Sequence, residues 1–173
     1  QMMGEIGATE DVARHNIAAF RNEKTDYIVT LCASCASHLK HNYPKLLKNS
    51  SFSEKLINDF CEKVIDLSSF VHDILKVKPD DFKGDHKKTT FHSPCHLCRG
   101  LGVHDAPKKL IESAGMDYLS ASEEESCCGF GGTYSAKFPE LSAQILENKL
   151  DDFEKTGADL LLTDCPGCIM QLR

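Results

Sequence analysis

Eight of the nine cysteines stand in close pairs: Cys32 with Cys35, Cys95 with Cys98, Cys127 with Cys128, and Cys165 with Cys168. Thiols one or two residues apart cannot staple distant segments of a fold. A chain of 173 residues with 41% hydrophobic content has enough apolar side chains to build a core without staples. Local thiol pairs therefore read as ligands or redox centres in a reducing compartment. The expected location is the cytoplasm, or the inner face of a membrane complex. Cys61 is the exception: it falls inside a helical pattern and reads as a small buried hydrophobe.

The formal charge of −6 and a pI near 5.7 argue against nucleic acid as a partner, because a phosphate-binding surface needs clustered Lys and Arg. Apolar runs such as Ile28 to Cys32 and Leu160 to Leu162 fall far short of the roughly 20 residues of a membrane span. No charged n-region followed by an apolar h-region opens the sequence.

Periodicity predicts a helix over 8–22, with Val12, Ala13, Ile17 and Phe20 on one face. A strand is predicted over 26–32, ending at Cys32, and a helix over 36–47 that Pro44 kinks or breaks. Residues 53–77 predict one long helix: Ser53 caps it, Phe52 and Ile57 staple it, and Leu56, Phe60, Val64, Leu67, Val71 and Leu75 form its stripe. After a polar connection over 78–86, strands are expected at 88–93, 116–119 and 159–164. Helices are expected at 107–114 and 139–156, stopped by Gly115 and Gly157. The longer of these should turn Leu141, Ile145, Leu146, Leu150 and Phe153 inward. Strands alternating with helices imply an α/β fold: an open, mainly parallel sheet with helices on both faces. Cys32, Cys95 and Cys165 then fall at the C-terminal ends of strands, where such sheets hold ligands. Helix N-termini expected after Cys32 and Cys165 would favour thiolates or anionic clusters.

The spacing is Cys95, thirty-one residues, Cys127-Cys128-Gly129, thirty-five residues, Cys165-Pro-Gly-Cys168. Adjacent cysteines cannot both face one small ion without strain, whereas they can bridge different irons of a cluster, so the pattern favours iron–sulfur ligation. Gly129, Gly131 and Gly132 allow backbone N–H groups to approach sulfur. Two other chemistries stay open: a structural zinc module built from the Cys-x-x-Cys pairs, and a thiol–disulfide reductase using Cys165 and Cys168. His92 and His96 flank Cys95 and could tune such a site, and His38 with His41 near Cys35 is a weaker candidate pairing. Glu123 to Glu125 reads as a solvated loop that could dock a partner. Gly129-Phe-Gly-Gly132 lacks the fingerprint of a nucleotide loop.

Phe91-His-Ser-Pro-Cys-His-Leu97, Ser126-Cys-Cys-Gly-Phe-Gly-Gly-Thr133 and Thr163-Asp-Cys-Pro-Gly-Cys-Ile-Met-Gln-Leu172 together resemble the cysteine-rich CCG domain. That domain occurs in heterodisulfide reductase, in glycolate oxidase iron–sulfur subunits and in lactate-utilisation iron–sulfur proteins, and the likeness is nearest to the last. The resemblance implies two similar halves, here 1–78 as the end of the first and 79–173 as a nearly complete second, possible also as one compact domain. The first half's own Cys-Cys-Gly would lie before Gln1. It further implies a [4Fe–4S]-type cluster, noncubane in heterodisulfide reductase, on Cys95, Cys127, Cys128, Cys165 and Cys168. Cys32 and Cys35 would be remnants of a second site, and Cys98 stands outside the pattern. The implied function is electron transfer in a complex that oxidises an organic acid, L-lactate above others, with other iron–sulfur and oxidoreductase subunits as partners.

Overall fold

The β-branched run Ile28–Thr30 forms strand β1, and it pairs in parallel with β2, Val64–Asp66, in the register Ile28↔Val64 and Thr30↔Asp66. A computed structural model describes residues 5–21, 24–78 and 86–173 of the chain. A second parallel sheet has β3 (Lys88–Phe91) at its centre, flanked by β4 (Asp117–Tyr118) and β5 (Leu160–Leu162). The molecule is α/β with parallel pairing throughout, divided into a two-stranded and a three-stranded ladder.

Helix α1 (Ile6–Phe20) buries Ala13 and Ile17, and α2 (Ala33–His41) starts directly after Cys32. Pro44, which has no N–H to give to a continuing helix, lies in the first turn of a separate short helix α3 (Tyr43–Leu46), so the expected 36–47 helix is broken.

The single helix expected over 53–77 is not formed. Helix α4 (Glu54–Lys63) has its Ser53 cap, whose Oγ accepts from the Leu56 N–H at 3.3 Å, and Phe52 and Ile57 share one core as the staple requires. Val64 and Ile65 then leave the helix to supply β1 with its partner strand. Asp66 turns the chain back into a helix by accepting from the Ser69 N–H at 2.9 Å, capping α5 (Leu67–Ser69), which continues as a π-type stretch over Phe70–Leu75. The apolar stripe satisfied helical spacing, but Leu67 and Leu75 are exposed: β-branched residues followed by an Asp cap outweighed the periodicity.

The connection expected over 78–86 lies for the most part outside the described residues. Beyond it, a π-type stretch (His96–Gly100) follows Cys95, then α6 (Ala106–Ser113), α7 (Thr133–Lys137), α8 (Pro139–Glu154) and α9 (Pro166–Leu172). Gly115 and Gly157 sit just beyond α6 and α8 at φ 73° and 66°, the left-handed stops the sequence called for.

One core joins α1, β1, α2, α4 and Val64, and it includes Tyr43 stacked on Phe60 at 5.7 Å. Cys61 is buried there and donates to the Leu39 carbonyl at 3.3 Å, the structural role its position suggested. The second core gathers Phe91, Leu97 and Ile111, together with Ala33 of α2. Helix α2 therefore contributes to both cores, and Ser68 on the first sheet's side donates to Asp164 at the end of β5. That shared packing brings the two Cys-x-x-Cys turns to adjacent positions.

Candidate metal centre

Cys32 and Cys165 are the N-caps of α2 and α9, with nearly the same backbone: φ −138°, ψ 109° and φ −137°, ψ 116°. The likeness extends along the chain. Residues 6–40 and 139–173 align without a gap, matching Phe20 with Phe153, Asp26 with Asp159, Thr30 with Thr163, both cysteine pairs, and Leu39 with Leu172. A helix, a strand and a Cys-x-x-Cys helix start thus occur twice.

All nine cysteines are free thiols. Cys128 and Cys168 are buried with their sulfurs 3.5 Å apart. Cys168 is also hydrogen-bonded to Cys165, and backbone N–H groups of Gly167 and Cys168 face the Cys165 sulfur. On the other side, the Gly129 N–H reaches Cys127 at 3.3 Å and the Phe130 N–H faces Cys128. Cys95 lies within electrostatic reach of Cys127 and Cys128, and Cys35, hydrogen-bonded to Cys32, within reach of Cys165. The seven cysteines singled out in the sequence therefore form one continuous run of neighbours. Cys98 is buried behind Cys95, donating weakly to its carbonyl at 3.9 Å.

The thiols differ in acidity. The hydrogen bond shared with Cys168 pulls Cys128 down to about 4 against its burial, helped by His92 and the Phe130 amide, and the same bond pushes Cys168 up. Cys165 is held at about 6 by Cys168 and its turn amides, while Cys35 rises to about 11 through loss of solvent first and then through Cys32 and Cys165. Burial likewise lifts Cys61 to about 11. At pH 7 these shifts favour the thiolate at Cys165 and the neutral thiol at Cys35 and Cys61. Iodoacetamide at pH 7 should therefore label Cys165 well before Cys35 or Cys61, an order that peptide mass spectrometry reads directly.

Among the described residues, His92, Cys128 and Cys168 bring ligand atoms within 4.8 Å of one another. His92 sits just past β3, its backbone N–H bonded to the Leu162 carbonyl at 2.8 Å. Both its ring nitrogens are buried without a hydrogen-bond partner, as are the hydroxyls of Thr90, Ser93 and Thr163 at the same strand ends. An unsatisfied buried imidazole beside a soft-donor thiol pair fits a bound sulfur-rich metal group, which would meet its hydrogen-bonding capacity. His96 is exposed with Nδ1 3.6 Å from Cys95, and His41 is exposed on α2; neither joins the converging donors.

The cysteine-rich domain family called CCG matches residues 2–40 and 89–173. The chain belongs to the CCG family. It is 39% identical over 166 residues to Lactate utilization protein A of Shouchella clausii, covering 95% of this chain and 67% of that protein. It is 37% identical to the protein of the same name from Oceanobacillus iheyensis, covering 98% of this chain and 68% of the relative, and 34% identical to that of Geobacillus sp. (strain WCH70), covering 98% and 70%. The chain spans about two thirds of the length of these relatives.

The Cys127-Cys128-Gly129 segment is held from behind by polar groups. Lys149 of α8 is almost fully buried; its ammonium donates to the Glu123 carbonyl and to Ser126 Oγ at 3.1 Å and stands 4.7 Å from the Phe153 ring centre. Asp152 accepts from the Glu123 N–H at 2.8 Å. Ser142 donates to the Gly129 carbonyl at 2.9 Å and accepts from Gln171 of α9. Helix α8 consequently buries Ser142, Lys149, Asp152 and Phe153, while Leu141 is half exposed, which corrects the expected apolar face. An irregular loop presents carbonyls and N–H groups, so the helix beneath it must supply polar partners.

The acidic run is likewise not a solvated loop throughout. Glu124 is buried, ion-paired with Lys108, and accepts from Tyr118 and Ser120. The sequence pattern gave no role to Lys149 and read Glu124 as part of a solvated loop; the available signal for Lys149 was that Ser142, Lys149 and Phe153 share a helix face. Lys149→Met should remove two buried hydrogen bonds and cost about 2 kcal/mol, lowering Tm by about 6 °C in a thermal melt.

Among the described residues, no helix is long and apolar enough to cross a membrane.

Proposed function

We propose that this CCG domain binds a [4Fe–4S]-type cluster on Cys95, Cys127, Cys128, Cys165 and Cys168 and carries electrons in the oxidation of an organic acid. The relatives' shared name points to lactate use, and L-lactate is the substrate of the system in this reading. The observation that carries it is the gathering of these thiols, turn amides and unpartnered buried polar groups at the C-terminal ends of β3 and β5. Bound there, a cluster would supply one-electron storage at a potential that the protein sets.

The chain's own residues do the rest. Burial of Cys128, Cys168 and His92 keeps water from one side, and exposure of Cys127 and Cys35 leaves the other open to a partner. The amides of Gly129, Phe130 and Gly167 donate toward sulfur, which stabilises added negative charge. Cys32 and Cys35 belong to a second, related site, in keeping with the repeat of 6–40 in 139–173, and the halves divide near residue 78. Other iron–sulfur and oxidoreductase subunits are the partners, on the cytoplasmic side of the membrane.

The test is iron, acid-labile sulfide and zinc content with an electron paramagnetic resonance spectrum, on protein purified and reconstituted without oxygen. Stoichiometric iron and sulfide are expected; stoichiometric zinc instead would make the domain a structural zinc module. A second reading, thiol–disulfide exchange, draws on one observation: Cys165 is a low-pKa thiol capping α9 with Cys168 buried behind it. Cys127→Ser separates the two, since a dithiol enzyme keeps its exchange activity and a cluster carrier loses its iron.

A further inference from the structure

We propose that His92 donates a hydrogen bond to a thiol sulfur of the Cys128–Cys168 pair, and that this bond raises the reduction potential of the cluster these residues would hold. This rests on the cluster reading above and adds to it a residue outside the cysteine pattern.

Three observations carry it. His92 is only 1% exposed, yet neither ring nitrogen has a partner, a costly arrangement unless something in the site completes it. The ring is not free to look elsewhere. Its backbone is tied to Leu162, and the ring stands edge-on to Phe153 at 6.2 Å and 81°. A ring nitrogen and the sulfurs of Cys128 and Cys168 lie within 4.8 Å of one another, so those sulfurs are the acceptors the ring N–H can reach.

The same observations favour a donor over a ligand. Metal-bound histidines almost always have the second nitrogen fixed by a carboxylate, carbonyl or water, and His92 has no such partner. A neutral imidazole carries one N–H, and a sulfur acceptor requires only that. Reduction adds negative charge to the cluster, so the N–H···S bond strengthens in the reduced form. Removing it disfavours reduction.

The experiment uses the anaerobically reconstituted chain, titrated with dithionite and dye mediators while the paramagnetic signal is followed. His92→Phe should keep the iron and sulfide content of the parent and give about a tenfold lower ratio of reduced to oxidised cluster at a fixed potential, a fall of about 59 mV for one electron. His92→Asn and His92→Gln place an amide N–H where one or the other ring nitrogen stands, and one of them should recover most of the shift. An unchanged potential in His92→Phe overturns the proposal. Equal shifts in all three variants also overturn it, because the ring would then act by packing alone. Loss of iron in His92→Phe with recovery in neither amide variant makes His92 a ligand and rejects the donor role. If the parent chain binds no iron and sulfide, the cluster reading itself fails and the inference falls with it; a loaded parent with an indifferent His92 removes only the inference.

Discussion

Cys128→Ser should abolish iron and sulfide uptake in reconstitution, whereas Cys98→Ser and Cys61→Ser should load as the parent does. Cys128 is the most connected of the thiols: its sulfur is 3.5 Å from that of Cys168, the Phe130 amide and His92 face it, and it lies within reach of Cys95. Serine keeps the volume but replaces a thiolate poised at about 4 with a hydroxyl that stays protonated and binds soft iron poorly. Cys61 is closed inside the first core against the Leu39 carbonyl, and Cys98 turns to the Cys95 backbone, so neither sulfur is oriented toward the others. The expected contrast is near-total loss against little or none, read by iron and sulfide assay and by the paramagnetic signal. Parent-level loading of Cys128→Ser would reject the assigned ligand set.

Much of this arrangement is legible in the sequence, and the failures have a common cause. Periodicity and stop residues located α1, α6, α8 and all the strands but one, because apolar residues recur along each of them, and Gly115 and Gly157 mark the ends of α6 and α8 even though α8 buries a largely polar face. β2 escaped because Val64 fits a helical stripe as well as a strand; only its pairing with Ile28 decides, and that partner is distant in the sequence. Spacing placed the cysteines at strand ends, and the gapless match of 6–40 to 139–173 shows why two Cys-x-x-Cys turns share one geometry. The support beneath them was harder to read. Lys149, Asp152 and Glu124 look like surface residues by type, and nothing local says that an irregular loop will cover them and draw on their charges. His92 is intermediate: its position three residues before Cys95 marked it, and burial without a partner gives it a role.

Gly129→Ala tests that support at its tightest point. Gly129 has φ +89°, a conformation L-residues rarely adopt, and an added Cβ would stand 2.6 Å from the Ser142 carbonyl oxygen, which belongs to the backbone of α8 and cannot swing aside. Relief requires the loop to lift off α8, breaking the Ser142 bond to the Gly129 carbonyl and moving Cys127 and Cys128 from their amides. Left-handed strain and the steric clash together should cost about 3 kcal/mol, lowering Tm by about 9 °C. The iron content should fall as well, because the displaced residue is directly bonded to Cys128. Gly102→Ala is the control: it shares the positive φ, at +71°, but its Cβ meets nothing within 4 Å. It should lose only the strain component, about 1 kcal/mol, and keep the parent's iron. Equal losses of iron in both variants would show that general destabilisation empties the site; loss in Gly129→Ala alone, measured well below both melting transitions, ties iron binding to the seat of the Cys-Cys-Gly turn on α8.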